Sequence, residues 1–430
     1  MAATIGVGLL GLGTVGSAVA GRLISQWRML GERAGATPVL RAVAVRDVRR
    51  PRDVELPNID LTDDPFTVVD DPRVQIVVET IGGLDPATSL IERALRQRKT
   101  VVTANKAVIA TTGPQLWTLA RDNGAGLWFE AAVGAGLPVV ALLRDSIRGD
   151  LISRLDAIIN GTTNVVLTRM RESGVPLRTA LAEAQQRGFA EADASSDVDG
   201  WDAAYKLVIM SWLAFGASLT PDDVDRRGIG DLDVIDCGYA GQLGYSIKLL
   251  AHAERRYEPS AIHLGVRPTA IPQGHPLGGV DDSANAVIIS SDLAQHVTLA
   301  GLGAGGASTA GAVVSDIVNA VLRTGCQPAP PEREGLDLLS NEEVETAAYV
   351  RLRTNTDPDA KALIVQAFED RGIPVADAVE RPPIDGPAPQ LLVLTGTAPR
   401  AVLDRALETV DTLAAVREIA CVLDRLEPSA

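Results

Sequence analysis

An apolar run from Thr4 to Leu10 breaks at residue 11 into Gly11-Leu12-Gly13-Thr14-Val15-Gly16 and then into a helical pattern. Few segments this short restrict a fold so far. The first glycine permits a tight turn. The second lets backbone approach a pyrophosphate, which sits on the helix N-terminus, and the third lets helix pack on strand. Residues 11–16 are therefore expected to bind a dinucleotide. A second strand, Val39–Val45, ends at Arg46-Asp47. A third, Val74–Glu79, is closed by Gly82-Gly83, and a helix from Pro86 to Arg98 leads to a strand at Thr100–Thr103. Alternating strand and helix implies α/β architecture, a Rossmann-type doubly wound parallel sheet.

The end of the second strand selects the nucleotide. Arg46 there favours a 2′-phosphate, and hence NADP. Asp47 would instead bind the ribose hydroxyls of NAD.

After Pro138 the pattern changes. Helical segments at Val175–Arg187, Ala203–Phe215 and Tyr239–Arg255 mix with strands at Leu151–Ile159 and Ala286–Ile289, as in an α+β domain. Gln327–Pro331 reads as a linker, and 346–426 reads β-α-β-β-α-β. The expected domains are a nucleotide domain at 1–137, rejoined by 305–326; a substrate and dimerisation domain at 138–304; a linker at 327–345; and a small module at 346–430. Gly301-x-Gly303-Ala304-Gly305 either closes over the cofactor or is a packing turn.

Only five of the 40 basic residues are lysine: Lys99, Lys106, Lys206, Lys248 and Lys361. An ammonium can be desolvated and made to exchange its proton near neutral pH, whereas a guanidinium cannot. Lys106 follows an apolar run, and Lys206 lies four residues after Asp202. Glu191, Asp193, Asp197, Asp199 and Asp202 crowd into the segment before Lys206. They form a solvated acidic loop, a site for a substrate ammonium, or a divalent-ion site. The four histidines (His252, His263, His275, His296) come later, which disfavours a transition metal.

A net charge of −15 argues against nucleic acid and anionic membranes as partners. Three scattered cysteines (Cys237, Cys326, Cys421) fit a reducing, cytoplasmic setting, and no apolar stretch suggests a membrane span.

Several ordered motifs resemble the homoserine dehydrogenase family. They are Thr103-Ala104-Asn105-Lys106, Glu130 to Pro138 (EAAVGAGLP), Asn160-Gly161-Thr162-Thr163-Asn164, Gly188 to Asp193 (GFAEAD), Asp197 to Leu207, Gly244 to Leu250 and Gly303-Ala304-Gly305. The resemblance implies NAD(P)H-dependent reduction of L-aspartate 4-semialdehyde to L-homoserine, and the reverse, in threonine, methionine and isoleucine biosynthesis.

Residue by residue, the resemblance makes Lys206 the proton donor and sets Lys106 beside nicotinamide and substrate. Glu191, Asp197, Asp202, Gly161 and Thr162 would hold the substrate. Gly11, Leu12, Gly13, Thr14, Val15, Gly16, Arg46, Thr80, Lys106, Gly188 and Gly303 would hold the coenzyme. Glu130, with the carbonyls of Val133, Ala135 and Leu137, resembles the family's sodium site. Phe189 stands where the family often has Tyr, which removes a hydroxyl near the substrate. The tail resembles an ACT module, so a homodimer or homotetramer and an amino-acid effector such as threonine are implied. Its Thr356–Ala360 loop lacks the family's glycine.

Two alternatives remain at this point. One is a catalytically silent sensor that binds nucleotide and amino acid. The other is an aldehyde-oxidising dehydrogenase, which would need a thiolate nucleophile; no cysteine sits in a catalytic-looking turn.

Overall fold

The computed structural model describes residues 3–257, 260–303, 305–323, 336–382 and 388–427. The expected linker Gln327–Pro331, Cys326 and Ala304 lie outside the described residues.

The chain opens with β1 (Thr4–Leu10), α1 (Thr14–Ser25), α2 (Trp27–Ala34), β2 (Thr37–Ala44), β3 (Asp60–Thr62) and α3 (Pro65–Asp70). It continues with β4 (Ile76–Glu79), α4 (Ala87–Arg96), β5 (Thr100–Thr103), α5 (Lys106–Asn123) and β6 (Leu127–Trp128). These six strands run parallel in the order β3-β2-β1-β4-β5-β6. The order reverses beside β1, and ligands bind at such a switch point, beyond the carboxyl ends of the strands. Helices cover both faces, so β1 and β4 read as apolar runs without alternation.

Next come α6 (Val139–Ala141), β7 (Ile152–Ile158), α7 (Gly161–Ser173), α8 (Leu177–Gln186), α9 (Ser195–Val198) and α10 (Trp201–Phe215). They are followed by β8 (Asp225–Arg226), α11 (Val234–Gln242), β9 (Tyr245–Tyr257), β10 (Ser260–Pro272), β11 (Ala284–Ser291), β12 (Gln295–Leu302) and α12 (Gly306–Leu322). The tail holds β13 (Asp337–Leu338), β14 (Glu345–Thr354), α13 (Ala360–Glu369), β15 (Val375–Arg381), β16 (Gln390–Thr395), β17 (Ala398–Pro399), α14 (Arg400–Asp411) and β18 (Val416–Arg425).

The chain divides into two compact units. The first comprises 1–152, 205–223 and 287–334; the second comprises 153–204, 224–286 and 335–430. In the first unit α12 supplies Ala310, Val313, Val314 and Ile317 to the core that also holds Val7, Val19, Leu23, Val43 and Val78. A Cβ at Gly306 would lie 2.6 Å from the Thr14 side chain, so only glycine lets α12 start this close to α1. The Trp212 ring, on the later turns of α10, packs on Trp117 of α5 and on Phe129, with centroids at 5.9 and 5.8 Å.

The second unit is built on a mixed sheet in which β7, β9, β10, β18, β14, β16 and β15 are successive neighbours. β10 and β18 run parallel, and the other pairs in this series are antiparallel. The tail has the β-α-β-β-α-β element order read from the sequence. Its four long strands stand in the order fourth, first, third, second, over a core that includes Val350, Leu352, Ile364, Phe368, Val393 and Leu403. One sequence expectation is overturned. The helix expected over Tyr239–Arg255 ends at Gln242, and Gly244 (φ 81°) turns the chain into strand β9. Thirteen register pairs with β10, together with burial of both faces of β9 from Tyr245 to Ala251, override the helix propensity of its Leu and Ala residues.

Candidate active site

Gly11 takes φ 94°, and a Cβ there would meet the Thr80 carbonyl oxygen at 2.8 Å. A Cβ on Gly16 would lie 2.2 Å from the Gly11 oxygen. Gly13 is different: nothing stands within 4 Å of its Cβ position, and as the N-cap of α1 it brings no side chain to the helix N-terminus. The two close-packed glycines shape the turn, and the third leaves the first-turn N–H groups of α1 open, which fits a pyrophosphate. Thr80 braces the loop, its hydroxyl donating to the carbonyls of Leu10 and Gly11. Arg46 is exposed beyond β2. The Asp47 carboxylate accepts the Arg49 N–H at 2.8 Å and so helps close its own turn.

Buried Glu79, at the end of β4, accepts from the N–H groups of Ile81 and Gly82 and from the Thr103 hydroxyl at 2.6 Å. Asn105 caps α5 through Val108 N–H and donates its amide to the Gly83 carbonyl. This web fixes the first residue of α5, half-buried Lys106. Lys206, also half-buried, lies on the part of α10 that belongs to the first unit, two turns before Trp212.

The acidic residues lie in the second unit. Asn160, the N-cap of α7, donates its amide hydrogens to Asp197 (2.7 Å) and Asp202 (2.8 Å). Gly161 opens α7, and the Thr162 hydroxyl donates to the Phe189 carbonyl. Gly188, at φ 77°, follows α8, and Gln185 holds the carbonyls of Glu191 and Ala192. The structure thus joins Asp197 with Asp202 and sets Gly161 and Thr162 at the same end of α7. The Glu191 side chain is exposed. Asp202 and Lys206 sit one turn apart on α10, as their spacing predicted.

Glu130 is buried in the first unit. Its two oxygens accept the N–H groups of Val140 and Ala141, each at 2.8 Å, and burial raises its pKa to about 7. Its own N–H donates to Asp316, which burial and the neighbouring Glu130 charge push up to about 8. Val133, Ala135 and Leu137 follow on a tight turn in which Ala135 adopts a left-handed φ of 51°. Among the described residues, no three His, Cys, Asp or Glu side chains group as a metal site.

Two family models match the chain. The model described as homoserine dehydrogenase covers residues 138–318, and the homoserine dehydrogenase NAD-binding domain covers residues 11–130. The homoserine dehydrogenase of a Synechocystis strain is 38% identical, over 98% of this chain and 99% of its own. The chain belongs to the homoserine dehydrogenase family. A solved homoserine dehydrogenase from Thiobacillus denitrificans superposes with a TM-score of 0.92 at 35% identity, covering 99% of this chain and 98% of that one. A hyperthermophilic archaeal homoserine dehydrogenase in complex with NADPH superposes at 0.63 with 28% identity, over 76% of this chain and all of its own.

Within this homoserine dehydrogenase fold, sequence reasoning gave no role to Glu79, Asn105 or Asn160. Asn105 and Asn160 carried a local signal: each precedes a helix whose start needs a side-chain cap. Lys248 also went unassigned. Its ammonium is buried and donates to Asn164, the Val280 carbonyl and Asp281. Lys248→Met is expected to cost about 2–3 kcal/mol in urea unfolding. This is less than the loss for a fully buried pair, because Asp281 is one-third exposed and keeps Arg171.

Proposed function

We propose that the protein interconverts L-aspartate 4-semialdehyde and L-homoserine, with NADP(H) preferred to NAD(H). The observation that carries this reading is the Asp197–Asp202 pair leading, one helical turn on, to Lys206. The coenzyme, held at Gly11–Gly16, supplies a hydride when bound. Lys206 donates a proton to the aldehyde oxygen as the new C–H bond forms, giving a primary alcohol, and then regains a proton from solvent. Asp197, Asp202 and Glu191 would receive the substrate ammonium, and Lys106 would contribute a second ammonium to the coenzyme and substrate site. Purified protein should consume NADPH with aspartate 4-semialdehyde and reduce NADP+ with homoserine. Absence of both would revive the silent sensor, which family membership disfavours.

Arg46 is the proposed contact for the 2′-phosphate. Its exposure, and the use of Asp47 in its own turn, support this choice. Arg46→Ala should raise the KM for NADPH about tenfold or more while leaving NADH nearly unchanged, because NADH lacks the phosphate that makes the charge-assisted bond. Equal loss for both coenzymes would assign the arginine to the fold.

Glu130 and the carbonyls of Val133, Ala135 and Leu137 suit sodium: the donors are all oxygen, and a hard cation would hold the buried carboxylate ionised. The tail is read as an ACT-like module. In its first loop the N–H groups of Asp357 and Asp359 are already taken by the side chains of Asn355 and Asp357. That favours an assembly role over a threonine site at this loop, within a homodimer or homotetramer in the cytoplasm.

A further inference from the structure

We infer that Asn160 is a positioning residue that sets the selectivity of the site for substrates carrying an ammonium group. The inference rests on the reading that Asp197 and Asp202 receive that ammonium.

The Asn160 side chain is buried, and its amide is fully used. Its Oδ1 accepts from the Thr163 N–H at 2.7 Å and from the Thr163 hydroxyl at 2.8 Å. Its Nδ2 donates to Asp197 Oδ1 at 2.7 Å and to Asp202 Oδ2 at 2.8 Å. The amide cannot be turned over. The Thr163 N–H can only donate and the ionised carboxylates can only accept, so the oxygen must face the helix and the nitrogen the acids.

The two acids lie 37 and 42 residues further along the chain, on α9 and α10. Asn160 thus gathers two like charges at the start of α7. An Arg or Lys in its place would gather them too, but would cancel the charge. A neutral amide uses one N–H on each carboxylate and adds no positive charge. It orders the two carboxylates without neutralising either, so their charge is left to be met by cationic groups, and each carboxylate has acceptor sites beyond the one it gives to Asn160. Capping α7 and aligning the acids are done by opposite ends of one side chain. A substitution can therefore keep the first role and remove the second.

Asn160→Ser is that substitution, since serine caps a helix well but cannot reach either acid. The full-length enzyme would be assayed in the oxidative direction with homoserine and with 4-hydroxybutanoate, the same alcohol without its ammonium. Expected is a rise in the homoserine KM of about 10- to 100-fold, the worth of lost hydrogen bonds to charged groups. The KM for NADP+ and the melting temperature should stay near those of the parent, with kcat changed less than KM. Preference for homoserine over 4-hydroxybutanoate should fall by the same factor as the KM rises. In an Asp197→Asn background, Asn160→Ser should add little further loss, because the pair it aligned is already broken.

If Asp197→Asn erodes the preference while Asn160→Ser leaves it intact, Asn160 is only a helix cap and the inference falls. If neither variant changes the preference, the ammonium reading itself fails, and this inference with it. Should the serine variant melt early, Asn160→Asp would replace it. It keeps shape and cap but sets a third carboxylate against the other two, and an unchanged preference there would equally overturn the assignment.

Discussion

Replacing Lys206 by alanine is expected to lower turnover about 10²- to 10⁴-fold, the usual contribution of a general acid, with little change in coenzyme KM. The fold should tolerate the change. Alanine favours helix more than lysine does, and α10 is secured two turns on by Trp212 against Trp117 and Phe129. Without the Lys206 ammonium, hydride transfer would leave an alkoxide that has lost its assigned proton donor, so the loss falls on kcat. Lys206→Arg should be nearly as poor, because a guanidinium holds its proton at neutral pH. Near-parental turnover in either variant would remove Lys206 from the proton-donor role.

Cutting the chain after about residue 335 is expected to destroy the second unit, contrary to what a dispensable regulatory tail would suggest. β18 is a sheet neighbour of β10, with Thr269 opposite Asp424 and Ala270 opposite Arg425. Arg351 on β14 grips Asp236 of α11 through two bonds of 2.7 and 2.9 Å, and the Tyr349 hydroxyl donates to the same carboxylate. Arg227 reaches the Val422 carbonyl, and Arg425 reaches the Tyr245 hydroxyl. Truncation would remove all these ties at once and bare the edge of β10 and the side of α11 that the tail covers, a large loss against the total of about 5–15 kcal/mol that holds a typical domain. In the whole chain Asp236 is 1% exposed, so losing its cation there leaves a buried charge unpaired, worth about 3–5 kcal/mol. Arg351→Ala isolates the effect. It should lower stability by a similar 3–5 kcal/mol in urea unfolding, with the chain otherwise whole. A soluble truncated protein with a cooperative melt and parental activity would show that the tail is a separable appendage.

The parts of this molecule that local pattern could reveal were legible in the sequence. The glycine turn after β1, the strand at Thr100–Thr103 and the six-element order of the tail all follow from periodicity and turn chemistry within a short window. Short pieces such as β3 and α3 carried too few residues to show a period. The misreading of β9 has a definite origin: its Leu and Ala residues favour helix until β10 pairs with them, and apolar Leu250 interrupts the alternation of Tyr245, Ile247, Leu249, Ala251 and Ala253 with Ser246, Lys248, His252 and Glu254. The acidic segment before Lys206 was visible, but not the agent that organises it. Asn160 meets Asp197 and Asp202 only after the chain has folded back over some forty residues. Asp236 and Arg351 are 115 residues apart, beyond any local rule.

The scarcity of lysine has a practical side. Lys248 is buried, Lys99, Lys106 and Lys206 are partly covered, and Lys361 on the first turn of α13 is exposed. Amine-directed acylation, crosslinking or surface immobilisation therefore has one open lysine handle, in the tail and far along the chain from Lys106 and Lys206. Attachment through Lys361 gives a defined orientation, and a protease specific for lysine finds its most accessible bond there.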